Sequence, residues 1–423
     1  MMNEKLKPIH FPSITAIKKA AKTIRQVADV TPLTKSIRYS NAYGANVLLK
    51  REDLHRVRSY KIRGAFHKIS SLSKKEMENG IVCASAGNHA QGVAFACNHL
   101  GIHGVIYMPS VTPKQKVEQT KLFGGDKITV VLEGDTFDDA SYAAKELSKR
   151  EEKTYIHPFD DIKIIEGQAT VGLELVVQAK DPIDYIFVAV GGGGLASGLC
   201  SVFKELSPDT KIIGVEPEGA ASMTTSITNG KNTALQHIDK FIDGAAVKRV
   251  GDLTFAICND YLNEMITIPE GKVCQTILDL YNRDAIVVEP AGALTVTALD
   301  FYKEKITGKN VICIISGSNN DITRTAEIKE RALLYGQLKH YFIIRFPQRA
   351  GALKQFVGSI LGPNDDITHF EYSKKSSKEN APAIVGIELK SPDDLQPLIH
   401  RMKKEKFFGE YLNDKPDLFQ YLI

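Results

Sequence analysis

From residue 47 to residue 316, short runs rich in β-branched residues alternate with longer runs of helical periodicity. The strand-like runs are 47–50, 81–85, 104–108, 128–132, 185–190, 211–216 and 310–316, most of them apolar along their length. Strands of that kind must be covered on both faces, and helices between them make the connections parallel. The alternation therefore predicts an α/β fold built on parallel sheets. Ligands in such sheets sit beyond the carboxyl ends of the strands, so chemistry is expected in the turns that follow them.

The helical runs are readable by their faces. Ser13 caps a predicted helix over 14–28, in which Ile14, Ile17, Ala21, Ile24 and Ala28 share one side. Ile62, Phe66, Ile69 and Leu72 define another, and Val93, Ala96, Cys97 and Leu100 a third, closed by Gly101. Thr112 and Pro113 read as N-cap and first residue of a fourth.

Four post-strand turns carry candidate chemistry. In Ser59-Tyr60-Lys61-Ile62-Arg63-Gly64-Ala65, Ser59 reads as an N-cap and Lys61 falls in the first helical turn. The positive end of a helix favours a neutral, nucleophilic amine there. Taken alone, such a lysine is ordinarily a surface residue. Ser85-Ala86-Gly87-Asn88-His89 opens a helix whose free N–H groups suit a carboxylate, with the Asn88 amide beside them. Taken alone, a plain glycine turn capped by Ser and Asn accounts for it better.

The third turn, Gly191-Gly192-Gly193-Gly194-Leu195, joins the apolar strand 184–190 to a helix over 196–206. Four glycines let the backbone close on an anion at a helix N-terminus. No P-loop Lys-Ser/Thr follows, and no acidic residue is placed for a dinucleotide ribose. A phosphate monoester is the best guest. In the fourth, Ser316-Gly317-Ser318-Asn319, a hydroxyl faces the same sheet edge. A phosphate cup, a reactive lysine, an amide and a hydroxyl are what a phosphorylated carbonyl cofactor held on lysine requires.

Near residue 322 the pattern changes. A charged amphipathic helix over 322–338 is followed by a strand at 341–346, a helix at 351–361 and strands near 368–373 and 383–389. A helix at 392–404 and a weak terminal strand complete a βαββαβ, ferredoxin-like order, with the polar stretch 374–380 as an exposed turn. The expected division is 1–321, a connecting helix 322–338, and a compact unit 339–423.

Other classes are not indicated. The net charge of +4 is spread without a basic tract, which argues against nucleic acid. Cys83, Cys97, Cys200, Cys258, Cys274 and Cys313 form no CxxC pair and read as buried thiols. His89 and His99 lack a partner set, so no metal is expected. Without a signal-like N-terminus or a long apolar stretch, a cytoplasmic protein is expected, with no membrane partner.

The motifs SYKIRGA, SAGNHAQG, GGGGLASG and SGSN, in this order and spacing, resemble the fold-type II (tryptophan synthase β-like) pyridoxal-phosphate enzymes over roughly residues 15–320. Within them they resemble the threonine dehydratase branch. Phe346-Pro347-Gln348-Arg349-Ala350-Gly351-Ala352-Leu353 resembles a single ACT-like regulatory domain of its biosynthetic members. The resemblance implies that Lys61 forms the Schiff base, Asn88 meets the cofactor's phenolic oxygen, and Gly191, Gly192, Gly193, Gly194 and Leu195 hold the phosphate. It places Ser316 at the pyridine nitrogen and Glu289, from EPAGA, on the cofactor side. Ser85, Ala86, Gly87 and Asn88 would receive the substrate carboxylate.

The implied reaction is loss of water and ammonia from L-threonine to give 2-oxobutanoate, with L-serine to pyruvate beside it. This is the first committed step of isoleucine biosynthesis, regulated by isoleucine and possibly valine, in a homotetramer. Serine racemases resemble the core, yet they carry a serine where this chain has Ala86 and lack the regulatory tail. A catabolic threonine/serine dehydratase, or a non-catalytic amino-acid sensor, are the alternatives.

Overall fold

All seven strand-like runs between 47 and 316 are strands in the structure, a computed structural model that describes residues 11–373 and 380–422. The turn expected at 374–380 lies, apart from its last residue, outside the described residues. Contacts divide the chain into two units, Met1–Ile322 and Thr323–Ile423.

The first unit holds two sheets. The larger runs in the order Leu33–Lys35, Asn46–Arg51, Asn310–Ile315, Tyr185–Ala189, Lys211–Pro217, Glu264–Ile268. It is parallel except for its first strand, which pairs antiparallel with Asn46–Arg51. The smaller is parallel throughout, in the order Ile128–Leu132, Gly104–Met108, Ile81–Ala84, Thr154–Tyr155. Three strands escaped sequence reading. Leu33–Lys35 and Thr154–Tyr155 are too short to show a period, and Glu264–Ile268 is only half-buried.

Helix starts differ from expectation by a residue or two. Ser13 Oγ does cap the first helix, Ile14–Ile24, accepting from Ala16 N–H at 3.2 Å. The fourth begins at Lys114 with Pro113 as N-cap, because Pro113 itself is extended (ψ 136°). Three helices cross at backbone contact. A Cβ on Gly64 would lie 2.9 Å from the Ile164 carbonyl oxygen, one on Gly167 2.5 Å from Gly64 Cα, and one on Gly198 2.7 Å from the Ala169 nitrogen. Lys61–Ser70, Ile162–Gln178 and Gly194–Leu206 therefore meet backbone to backbone at Gly167 and Gly198, while at Gly64 the Gln168 side chain lies closest, 2.3 Å from such a Cβ.

The second unit is a four-stranded antiparallel sheet in the order Asp366–Tyr372, Asn380–Glu388, Lys339–Pro347, Phe408–Tyr411. Helices Ala352–Ser359 and Leu395–Lys404 supply the two crossovers of the βαββαβ order. Phe342, Ile344, Phe356, Val385, Leu398 and Met402 form its core. The helix Thr325–Tyr335 belongs to this unit: Tyr341 Oη donates to Glu330 at 2.6 Å, and Lys339 pairs with Glu330 at 3.2 Å. A short helix, Pro416–Leu422, was not foreseen.

Candidate active site

Lys61 is the first residue of its helix, but Ser59 is not the cap. Backbone pairing takes that role. Ser59 forms an isolated β-bridge with Gly317, and Tyr60 N–H donates to the Ser316 carbonyl at 3.2 Å. Ser59 Oγ is left buried without a partner among the described residues. The lysine turn and the Ser316 turn are thus joined along the backbone.

Lys61 Nζ donates to the Pro158 carbonyl at 2.9 Å. Burial pulls its pKa down to about 8, against the opposing pull of the Glu289 carboxylate. An amine in that range is available in its neutral form near neutral pH.

The tetraglycine turn is packed from below. Gly193 has φ +91°, a conformation that suits glycine, and the helix starts at Gly194 rather than 196. A Cβ on Gly192 would sit 2.2 Å from the Phe159 ring, and one on Gly191 3.0 Å from Ala245 Cα. Thr254 Oγ1 donates to the Gly192 carbonyl at 2.6 Å. Among the described residues, the N–H groups of Gly192, Gly193, Gly194, Leu195 and Ala196 meet no acceptor. The Leu195 side chain lies in the core, so only its N–H is offered.

Ser85, Ala86, Gly87 and Asn88 are half-buried, with Gly87 N–H donating to Ser85 Oγ at 3.3 Å. The space beside Gly87 is open, since a Cβ there would meet nothing within 4 Å. Asn88 opens its helix and is gripped twice: Nδ2 donates to Glu289 at 2.7 Å, and Oδ1 accepts from Asn319 Nδ2 at 2.6 Å. Glu289 N–H donates to the Gly317 carbonyl at 3.2 Å. Its carboxyl is pushed up to about 7, chiefly by burial and then by Asp243, with Asn88 opposing. Ser316, 4% exposed, directly follows the strand Asn310–Ile315, with an Oγ that bonds to no described residue.

Two features had no sequence signal. The first is a buried ion network around Arg63, two residues beyond Lys61. Arg63 forks Glu52 at 2.7 and 2.9 Å and reaches Glu174 at 2.7 Å, while Lys50 pairs with Glu174 at 2.6 Å. The second is the 157–160 turn. Pro158 accepts from Lys61, Phe159 lies against Gly192, and Asp160 accepts from the N–H groups of Asp252, Leu253 and Thr254 at 3.0, 3.0 and 3.2 Å. That turn links the lysine to the glycine turn, so all four sequence motifs converge on one site.

These residues fit a phosphorylated cofactor. A row of unspent backbone donors at a helix N-terminus matches a phosphate, and an amine with a lowered pKa stands one residue away from the packing that shapes it. The described residues contain no group of His, Cys, Asp and Glu arranged to hold a metal. All six cysteines are free and buried.

Comparison with known proteins agrees. Residues 24–317 match the family model for pyridoxal-phosphate dependent enzymes, and residues 330–422 the model for the C-terminal regulatory domain of threonine dehydratase. The chain is 53% identical over 422 residues to L-threonine dehydratase biosynthetic IlvA of Bacillus subtilis, covering 100% of both chains. It is 54% identical over 404 residues to the protein of that name from Halalkalibacterium halodurans, covering 96% of this chain and 97% of the relative. Among solved structures it resembles the processed form of threonine deaminase isoform 2 from Solanum lycopersicum. That match has a TM-score of 0.72 and 39% identity, covering 78% of this chain and 94% of the other.

Proposed function

The chain belongs to the pyridoxal-phosphate-dependent enzymes and, within them, to the biosynthetic threonine dehydratases, and from that premise we propose that Lys61 is the residue on which it deaminates L-threonine. The observation that carries this reading is the 157–160 turn, which ties the Lys61 amine (2.9 Å from the Pro158 carbonyl) to the tetraglycine turn under Phe159.

Bound pyridoxal phosphate supplies an aldehyde that takes an amine and a conjugated ring that draws electrons from the adjoining carbon. Lys61 Nζ is its covalent anchor. The N–H groups from Gly191 to Leu195 would hold the phosphate, Ser316 Oγ would serve the ring nitrogen and Asn88 the ring oxygen, with Glu289 orienting Asn88. The turn from Ser85 to Asn88 takes the threonine carboxylate on its free N–H groups. Lys61 Nζ would be the base that takes the proton from threonine Cα. The β-hydroxyl departs with a proton as water. Water returns when the enamine product hydrolyses, so the net change is threonine to 2-oxobutanoate and ammonia. L-Serine gives pyruvate by the same steps.

Ala86 bears on the choice of reaction. Its methyl group has no proton to give to the opposite face of Cα, which supports elimination over racemisation. The second unit is read as the regulatory domain, with isoleucine as inhibitor and valine as a possible antagonist. Initial-rate titrations with each amino acid test this, and an unchanged rate with isoleucine would refute it. A homotetramer is read from the family, to be checked by light scattering. No helix among the described residues is long and apolar enough to cross a membrane, and a cytoplasmic location is read from the biosynthetic role. Cell fractionation tests it: enrichment with the membranes would count against it.

Borohydride reduction of the purified protein tests the centre of the proposal. A fixed cofactor mass on the peptide containing Lys61, absent in Lys61→Ala, is the expected result. Absence of the adduct, or of 2-oxobutanoate on adding threonine, overturns it.

A further inference from the structure

Pro158, Phe159 and Asp160 each reach a different part of the site, and one side chain closes the turn that carries all three. His157 Nδ1 accepts from the N–H of Phe159 at 3.3 Å and from the N–H of Asp160 at 2.8 Å. A ring nitrogen accepting two N–H groups carries no proton, so the imidazole is neutral with its hydrogen on Nε2. Burial agrees with that state, pushing the His157 pKa down to about 4. The Phe159 ring meets the imidazole edge-on, with centroids 4.7 Å apart. The geometry is that of an Asx-turn, with a histidine in the place of asparagine or aspartate.

Each product of this turn is a contact already described. Pro158 offers its carbonyl to Lys61 Nζ. Phe159 fills the space a Gly192 side chain would need. The Asp160 carboxylate caps the helix Asp252–Tyr261, whose Thr254 in turn grips the Gly192 carbonyl at 2.6 Å.

We propose that His157 is a positioning residue for the deamination, its Nδ1 fixing the turn that registers Lys61 against the phosphate-holding glycines. It touches no reacting atom and acts through Pro158 and Phe159. Loss of the acceptor leaves two N–H groups unpaired in a half-buried turn and frees three contacts at once. This inference rests on Lys61 being the cofactor lysine.

The test compares His157→Ala, His157→Asn and His157→Gln in the full-length holoenzyme. Asparagine offers an oxygen at the reach an Asx-turn uses, whereas glutamine is one methylene too long. In His157→Ala the cofactor dissociation constant rises by about tenfold, the equivalent of one lost hydrogen bond, and kcat falls by roughly 10²-fold, the scale of a 1 Å misplacement. The KM for threonine stays within about threefold, because the 85–88 turn is untouched. His157→Asn recovers most of both losses and His157→Gln does not. An alanine variant with unchanged cofactor affinity and kcat overturns the proposal. So does an asparagine variant no better than glutamine, a comparison that still decides if the alanine variant fails to fold. Failure of borohydride to label Lys61 in the unmodified enzyme removes the functional reading and this inference together. Labelling with indifferent His157 variants removes this inference alone.

Discussion

Asn88 Nδ2 donates to Glu289 Oε1 at 2.7 Å, so the amide expected to face the cofactor is oriented by a buried carboxylate. The same carboxylate raises the Lys61 pKa against the effect of burial. Glu289→Gln keeps an acceptor for Asn88 and removes the charge. The Lys61 amine then becomes neutral at a lower pH than about 8. The pH dependence of Lys61 acylation in cofactor-free protein, followed by peptide mass, should shift downward. An unmoved or raised midpoint would show that Glu289 does not act on the lysine.

Gly192→Ala places a methyl group on the Phe159 ring, which already occupies that space at 2.2 Å. Overpacking of this kind costs about 1–3 kcal/mol. Because the strain falls on the turn proposed to hold the phosphate, cofactor retention should suffer more than folding does. Equilibrium dialysis should show at least about a tenfold weaker hold, one factor of ten being about 1.4 kcal/mol. Equal cofactor retention in variant and parent would place the phosphate elsewhere.

Arg63→Met leaves Glu52 and Glu174 facing each other's charge in the core, with Lys50 and His55 as the remaining partners. Breaking a buried pair in this way costs about 3–5 kcal/mol. Urea unfolding reports it directly, and a loss below about 1 kcal/mol, the scale of a surface pair, would mean that the network is not sealed from water.

Glu216 is buried with no cation partner among the described residues and accepts from Met223 N–H, Thr224 N–H and Thr224 Oγ1 at 2.7, 2.8 and 2.7 Å. Burial raises its pKa from 4.5 to about 7. A raised folded pKa gives stability that is complete below the unfolded value and lost as pH climbs through the folded one. Relative to Glu216→Gln, the unmodified protein should therefore lose ground between pH 4.5 and pH 7, by about 3 kcal/mol at most. Denaturant midpoints of the two proteins at pH 5 and pH 8 measure this. A constant difference would mean that the carboxyl titrates normally.

Of the candidate site residues, only the tetraglycine lies in a local run whose composition has few structural uses; Lys61, Asn88 and Ser316 stood out by their company rather than singly. The turns' position at strand ends then gave them a common edge. Arg63 and Asp160 were not legible. Their partners lie 111 residues away for Glu174 and 93 for Leu253, and nothing local distinguishes them from solvated charges. Ser59 was misread as a cap because its backbone pairing with Gly317 is invisible in a single segment. Strand existence was readable wherever burial on both faces left a continuous apolar run. It failed for Glu264–Ile268, which is half-covered and looks like a loop.

The crossing of three helices at Gly64, Gly167 and Gly198 sets how this enzyme can be altered. At Gly167 and Gly198 backbone touches backbone, so a side chain inserted there must drive the helices apart, and there is no side chain to trim. Lys61 at the head of one helix and the glycine turn at the head of another therefore keep their separation like jaws cast in one piece. Libraries aimed at new amino-acid substrates should therefore leave Gly64, Gly167 and Gly198 alone, since a side chain at any of them is felt at both jaws.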